Sequence, residues 1–354
     1  MKKWLLPALL SALLLSGCGA PDAEDSHAEA LEGQKRVVFS MDTVMNLSVF
    51  DEDPAVETAA LDEAAAEIER LDALLSRHSE ESAVSAINAG GGTAVPTSPE
   101  LTELLRRGIY FSDVTDHALD LTVAPIMDLW DFTGKAPHVP TQAELDALLP
   151  LVNDDRIVFG EGTVALENGA QIDLGSIAKG YASARIAALF TELGLDSAMV
   201  NLGGNVYVHS TKPDGSPWNI AITDPLDQEA FLGSVRVADQ FIITSAGYQR
   251  GFEQDGVRYY HIIDPKTGTV ARSGLLSATI VCEDGTMGDA LSTALFVMGL
   301  DRAVDFWKTF ETPFDMVLMD EENRVYITEG LKDSFDPSVA EHGDQYEYIF
   351  LEKN

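Results

Sequence analysis

Apolar residues recur along this chain with two periods, one near ~3.6 residues and one of about two, and the switches between them lay out its elements. Within residues 57–75, Leu61, Ala65, Ile68, Leu71 and Leu75 fall on one helical face, which predicts an amphipathic helix. Ser98-Pro99-Glu100 supplies an N-cap followed by a first-position proline, and Thr141 with Glu144 makes a capping box, so helices start at both. Ser176 reads as the N-cap of another, whose first turn is Ile177-Ala178-Lys179 and which continues through YASARIAALFTEL. Residues 287–298 and 302–309 complete the helical set. Residues 37–50 read as strand, interrupted at Met41-Asp42-Thr43, and short strands are expected around 156–159 and 164–167. From residue 197 to 282 the runs SAMVNLGG, NVYVHS, WNIAIT, GSVRVA, FIITSAG, RYYHIID and SATIVC alternate with turn signals such as PDG, QDG and DPKTG, which predicts hairpins and a largely antiparallel sheet. MVLMD and RVYITE make a last β pair. No tandem repeat interrupts the pattern, and the class is α/β in the mixed, α+β sense, with helices packed on antiparallel sheets.

The N-terminus has a composition of its own. MKKWLLPALLSALLLSGCGA places two lysines before an apolar run that ends near Leu15, too short for a membrane span of ~20 residues and ordered as an export signal. Leu15-Ser16-Gly17-Cys18 resembles the bacterial lipobox, which implies removal of residues 1–17 and acylation of Cys18. The expected location is therefore the cell envelope, lipid-anchored to a membrane on its extracytoplasmic face. Residues 18–36 are small and acidic and read as a solvated tether spanning ~20–25 Å, leaving 37–354 as the folded body. With Cys18 acylated, Cys282 is left unpaired and reads as a small buried hydrophobe; CxxC and HExxH are both absent, which argues against a structural or catalytic zinc motif of those types.

The net charge of -35 argues against nucleic acid as a partner and is otherwise the ordinary charge of a soluble surface. It carries one consequence for chemistry. A phosphate-bearing ligand meets repulsion beyond the ~8 Å screening length, so its site must hold its own cations.

Five segments could carry chemistry. DLGSIAKGYA places Lys179 in the first turn of a helix, where the dipole favours an acid, so an anion is expected beside it. DLTVAPIMDLW sets Asp120 and Thr122 in apolar surroundings; Pro125 breaks a strand there, and a loop that turns polar atoms to a ligand competes with a simple core segment. NLGGN allows close backbone approach to a ligand, and equally makes an ordinary β-turn. In GTMGDALSTALFVMG a helix brings Asp289 and Thr293, four residues apart, onto one face with Ser292 beside them. That oxygen set suits a hard cation such as Mg²⁺, although an acid near a helix start and a hydroxyl bonded to its own backbone explain the same residues. RYYHIIDPKTG puts His261 on a strand running into a turn, as a packing residue or as a general base.

In order, DLTVAPIMDLW, DLGSIAKGYA, NLGGN, ITSAGYQRGFE, HIIDPKTG and GDALSTALFV resemble the ApbE-type flavin transferases, lipoproteins that move FMN from FAD onto a protein threonine with Mg²⁺. The resemblance runs from about residue 37 to 327 and implies a T-fold-like body. It implies that Asp173 and Lys179 contact FAD, that Met41, His78, Asp120, Leu121, Thr122 and Ile263 belong to the flavin or adenine pocket, and that Asp289, Thr293 and the Ser176 carbonyl hold Mg²⁺. His261 matches the histidine that activates the acceptor hydroxyl. Two positions depart from the family pattern: Asp42 stands where glycine is common, and His78 precedes SEESAVSAIN where an aromatic residue is common. The implied partner is a threonine-bearing subunit of a membrane redox complex. Two other activities remain open on the residues alone: an FAD pyrophosphatase giving FMN and AMP, and a non-catalytic flavin-binding lipoprotein.

Overall fold

The computed structural model describes residues 32–353 apart from Thr133, Lys135 and Gln249. The leader, Cys18 and most of the tether lie outside the described residues. Among the described residues the largest unit is a nine-stranded sheet in the order Gln34–Ser40, Thr43–Phe50, Ser197–Leu202, Asn205–Ser210, Gln240–Ala246, Leu275–Cys282, Asp315–Asp320, Arg324–Thr328, Glu347–Leu351. Every neighbouring pair is antiparallel except the last, which is parallel.

The period-two pattern explains why both faces are covered. Phe241, Ile243, Ala278, Ile280, Met316 and Leu318 point to one core, while Ile242, Val281, Val317 and Met319 point to the other. Against the first face pack the helices Pro54–Leu75, Ala178–Leu193 and Gly285–Met298. Against the second lies a small sheet of Trp218–Thr223, Phe231–Val237 and Phe335–Asp336, which contributes Trp218, Ile222, Leu232 and Val235.

Several expectations are met in detail. Ser98 and Thr141 cap their helices, the second as a full capping box. The break at Met41-Asp42 is a tight hairpin turn whose two residues have φ of 47° and 57°, with Ser40 paired to Thr43. Cys282 is buried, and burial pushes its thiol up to about 12, so it packs as a hydrophobe.

Other expectations are corrected. The first strand begins at Gln34, so Gln34, Lys35 and Arg36 join the sheet rather than the tether. Ser176 caps no helix: the chain turns once through Gly175–Ile177, closed by the Ala178 N–H on Leu174 O at 2.8 Å, and the helix begins at Ala178 behind Ile177 without a side-chain cap. Pro125 does not keep its segment irregular; it sits in the first turn of the helix Ala124–Trp130, where its missing N–H costs nothing, and the loop shrinks to residues 120–123. His261 lies one residue beyond the strand Val257–Tyr260. The strand Glu347–Leu351 was not foreseen, because EYIFL lies beyond the last hairpin signal and pairs with Arg324–Thr328 only through a crossover.

Candidate functional site

A cavity of about 780 Å³ opens where the first hairpin, the loop before Ala124–Trp130, the start of Ala178–Leu193 and the helix Gly285–Met298 converge. Its walls are held by hydrogen bonds between segments far apart in the chain. Ser40 Oγ and the Met41 N–H both donate to Asp72 Oδ2, at 2.8 and 3.1 Å, which pins the hairpin turn to the helix Pro54–Leu75. From the other side Arg250 Nη2 donates to the carbonyls of Met41 and Asp42, at 3.3 and 2.9 Å. Gly203, in the NLGGN turn, has φ +66° and lies so close to Thr43 that a Cβ would stand 2.3 Å from the threonine hydroxyl. Only glycine meets both demands.

Asp173 is fixed at three points. Its N–H donates to Leu121 O at 2.8 Å, its Oδ1 accepts the Gly175 N–H at 2.7 Å, and its Oδ2 pairs with Arg77 Nε at 2.6 Å. Arg77 also bonds Asp128 at 2.7 Å. Burial works against the Arg77 charge, but the Asp173 and Asp128 carboxylates hold its guanidinium above the usual arginine value.

Asp289 is 4 % exposed and has few protein partners for a carboxylate. Oδ2 accepts the Gly180 N–H at 2.7 Å, and Lys179 Nζ stands 3.8 Å from Oδ1. Burial raises its pKa, against the pull of Lys179 and the two backbone N–H groups of residues 179 and 180. The two helices meet here at glycines: a Cβ on Gly180 would lie 2.2 Å from Gly285 O, and one on Gly285 would lie 2.6 Å from Gly180 O. Ser292 Oγ donates to Asp289 O at 2.9 Å, and Ser245 Oγ reaches Ser292 and Thr293 at 2.8 and 3.3 Å, which ties the helix to the sheet.

The His261 N–H donates to Arg250 O at 3.1 Å, with Nδ1 3.4 Å from the same oxygen. Burial, with Lys179 and Arg250 nearby, pushes its imidazole down to about 4, so it is neutral at neutral pH and free to accept a proton.

Ten of the twelve ligand and catalytic candidates line this one cavity: Met41, His78, Asp120, Asp173, Ser176, Lys179, His261, Ile263, Asp289 and Thr293. Leu121 and Thr122 do not. Leu121 is fully buried against Gly108, and only its carbonyl serves the site, through Asp173. Thr122 is also fully buried; its N–H and hydroxyl both donate to Asp120 Oδ1, and its oxygen accepts the Asn153 N–H at 2.7 Å, so it orients Asp120 from behind. Sequence reasoning missed Asp72, Arg77 and Arg250. Arg250 sits inside the quoted ITSAGYQRGFE and was available there; Arg77 and Asp72 gave no local signal, because their partners lie far along the chain.

The lining carries seven aspartates against Arg77, Lys179 and Arg250. Two donors in its lining fit a hard cation: Asp289, a buried residue, presents Oδ1 with Lys179 Nζ 3.8 Å away, and Thr293 lines the cavity one helical turn on.

The ApbE family model matches residues 41–318. This chain belongs to the ApbE family. An FAD:protein FMN transferase of Treponema pallidum (strain Nichols) is 32 % identical over 354 residues, covering 93 % of this chain and 94 % of that protein. Another, from Vibrio cholerae serotype O1, is 31 % identical and covers 96 % of this chain and all of its own length, 100 %. Among solved structures, the ApbE protein of Thermotoga maritima superposes with a TM-score of 0.80 at 30 % identity, over 86 % of this chain and 99 % of that one. The flavinyl transferase ApbE of Pseudomonas stutzeri, in its apo form, gives 0.76 at 27 % identity, over 86 % and 98 %. The mixed α/β, largely antiparallel class expected from the sequence is that of these ApbE structures.

Proposed function

We infer that this chain is an FAD:protein FMN transferase, with FAD as donor and a protein as acceptor, and we propose that the acceptor group is a threonine hydroxyl and the metal Mg²⁺. One observation carries the chemistry. A neutral imidazole, a lysine and a buried carboxylate with a hydroxyl beside it share one cavity within the ~300–1,000 Å³ range of small-molecule sites.

The acidic lining sets the requirement for the donor's diphosphate. Lys179 and Arg77 supply positive charge within the cavity, and Asp289 and Thr293, with the Ser176 carbonyl on the adjacent turn, would hold Mg²⁺. When bound, that ion would draw charge from the phosphate oxygens as the transfer proceeds. The protein's own groups do the rest. His261 accepts the proton of the acceptor hydroxyl as its oxygen bonds the FMN phosphorus; the bond from that phosphorus to the bridging oxygen breaks, and AMP leaves carrying that oxygen. Asp120, oriented from behind by Thr122, and the Met41 turn, clamped by Asp72 and Arg250, fix the walls against which the ligand is positioned. The product is a flavin joined through a phosphoester. The LSGC segment supports the further proposal that Cys18 is acylated and that the acceptor is a subunit of a membrane redox complex, met at the extracytoplasmic face.

The test incubates the protein with FAD and Mg²⁺, with and without a threonine-bearing acceptor, and weighs the products. An acceptor heavier by FMN with release of AMP is expected. FMN and AMP formed equally well without the acceptor would make the protein a hydrolase, and unchanged FAD in both would make it a carrier.

A further inference from the structure

Behind the cavity wall lies a second cluster. The helix Pro99–Val114 ends beside the turn Asp154–Arg156, and there one ligand atom each of Asp113, His117 and Asp154 lie within 4.8 Å of one another. Asp113 and His117 are exposed, while Asp154 is 1 % exposed. Asp154 Oδ1 lies 3.8 Å from His117 Nδ1, and the buried Ser112 hydroxyl lies 3.0 Å from the same nitrogen. Asp154 Oδ2 is buried with no hydrogen-bond partner among the described residues, a costly state for a carboxylate oxygen. Neighbouring Asp116 is already engaged, with Lys266 at 2.6 Å and Arg302 at 3.2 Å, so it takes no part.

We propose that Asp113, His117 and Asp154 form a binding site for a first-row divalent cation of the Zn²⁺ type, separate from the Asp289 and Thr293 pair. Two carboxylates with one imidazole match the mixed nitrogen and oxygen ligation of such ions, whereas Mg²⁺ and Ca²⁺ favour oxygen alone. Bonds of ~2.0–2.2 Å in tetrahedral geometry place ligand atoms ~3.4 Å apart, so the exposed Asp113 and His117 side chains close in by roughly 1 Å while Asp154 stays where it is. A cation bound by the Asp154 carboxylate would offset the charge of a buried group whose Oδ2 has no hydrogen-bond partner among the described residues. Burial, opposed by Ser112 and reinforced by the nearby Asp120 charge, otherwise holds the Asp154 carboxyl up to about 6.

The consequence reaches the cavity. Asn153 donates its N–H to Thr122 Oγ1, and the Asp154 N–H supports the Asp120 carboxylate that lines the cavity. Clipping residue 154 to the end of Pro99–Val114 therefore fixes the turn that holds Asp120 in place. The proposal stands on these residues whether or not the transferase reading holds.

The test uses the mature chain stripped of metal by EDTA, with excess Mg²⁺ restored to occupy oxygen-only sites, and titrates Zn²⁺ by calorimetry and by thermal melting. One equivalent of Zn²⁺ bound with a rise in Tm is expected. His117→Ala and Asp113→Ala, both at exposed positions that leave the core intact, should each weaken that binding at least ~10-fold and abolish the rise, while Asp289→Asn should keep both. The proposal is overturned if the wild-type chain takes up no Zn²⁺, if His117→Ala binds it as well as wild type, or if Asp289→Asn is the variant that loses it.

Discussion

The Gly180→Ala substitution isolates the placement of the buried carboxylate from its chemistry. The new methyl would stand 2.2 Å from Gly285 O and 2.5 Å from Asp289 Cβ, whereas ordinary contact begins at 3.4 Å. The helices Ala178–Leu193 and Gly285–Met298 must therefore part by about 1 Å at this crossing. Overpacking of this kind costs ~1–3 kcal/mol, which lowers Tm by several degrees without unfolding the chain. The displacement falls where it matters, since it stretches the 2.7 Å bond from Gly180 N–H to Asp289 Oδ2 and shifts Lys179 with its helix. A misplacement of ~1 Å in a catalytic array costs on the order of 100-fold in rate. Gly215→Ala is the control: at φ +79° it pays a left-handed strain of ~1–2 kcal/mol, yet nothing lies within 4 Å of the new methyl and the turn does not line the cavity. Covalent flavin on the acceptor, read by in-gel fluorescence, should fall roughly 100-fold for Gly180→Ala and hold for Gly215→Ala, at comparable losses in Tm. Transfer by Gly180→Ala within about two-fold of wild type, at the same loss of Tm, would falsify the dependence of transfer on this crossing.

Further outcomes can be measured at Asp289, His261 and Cys18, the last resting on the sequence alone. Asp289→Asn removes a buried charge whose pKa burial has raised, so at pH 7 the metal-free protein should melt no lower than wild type while transfer collapses and is partly restored by raised Mg²⁺; near-normal transfer at low Mg²⁺ would refute the metal assignment. Because His261 titrates near 4 when folded and near ~6.5 unfolded, the unfolded chain binds the extra proton between those values; its contribution to stability is constant above that window and is lost as pH falls through it, a slope that His261→Ala should remove from the melting profile. The acid limb of kcat/KM should likewise sit below ~6.5, and a limb at or above that value in the free enzyme would remove His261 as the base. Cys18→Ser should release the protein from the membrane to the soluble fraction, and an unchanged distribution would rule out the lipid anchor.

What could be read from the sequence divides by the range of the interaction involved. Helix starts at Ser98 and Thr141 and the turn at Met41-Asp42 were legible because a cap or a hairpin turn is decided by residues within four positions of one another. Ser176 misled for the same reason. A serine before an apolar run is a good local cap, but here the chain spends one more turn bringing it to the cavity before the helix begins. Apart from Met41 and His78, the pocket residues lie in matched segments, and the two that the structure sets behind the wall show the limit of that route: a motif marks Leu121 and Thr122 along with Asp120 without distinguishing the side chain that faces the cavity from those that hold it. Arg77 was invisible, since its role comes from Asp128 and Asp173, 51 and 96 positions away, which only the folded sheet and its helices bring together.

The same contrast settles why a lysine stands in the first turn of Ala178–Leu193, where the helix dipole disfavours it. From sequence alone the compensating anion had to be sought in a ligand. The fold supplies one already, because the glycine contact between the two helices sets Asp289 3.8 Å from the lysine and lets the Gly180 N–H, one of the helix's unsatisfied donors, bond the carboxylate directly. Asp289 therefore acts as the missing acid of that first turn, supplied from another helix. It does so incompletely, since burial still raises its pKa against both partners. A carboxylate left in that state would gain from a further cation and a lysine so placed from a further anion, and the proposed metal-bound diphosphate would supply the two at once. Gly180, which carries no side chain to offer a ligand, is thus the residue on which the pairing depends: it permits the contact and donates the hydrogen bond.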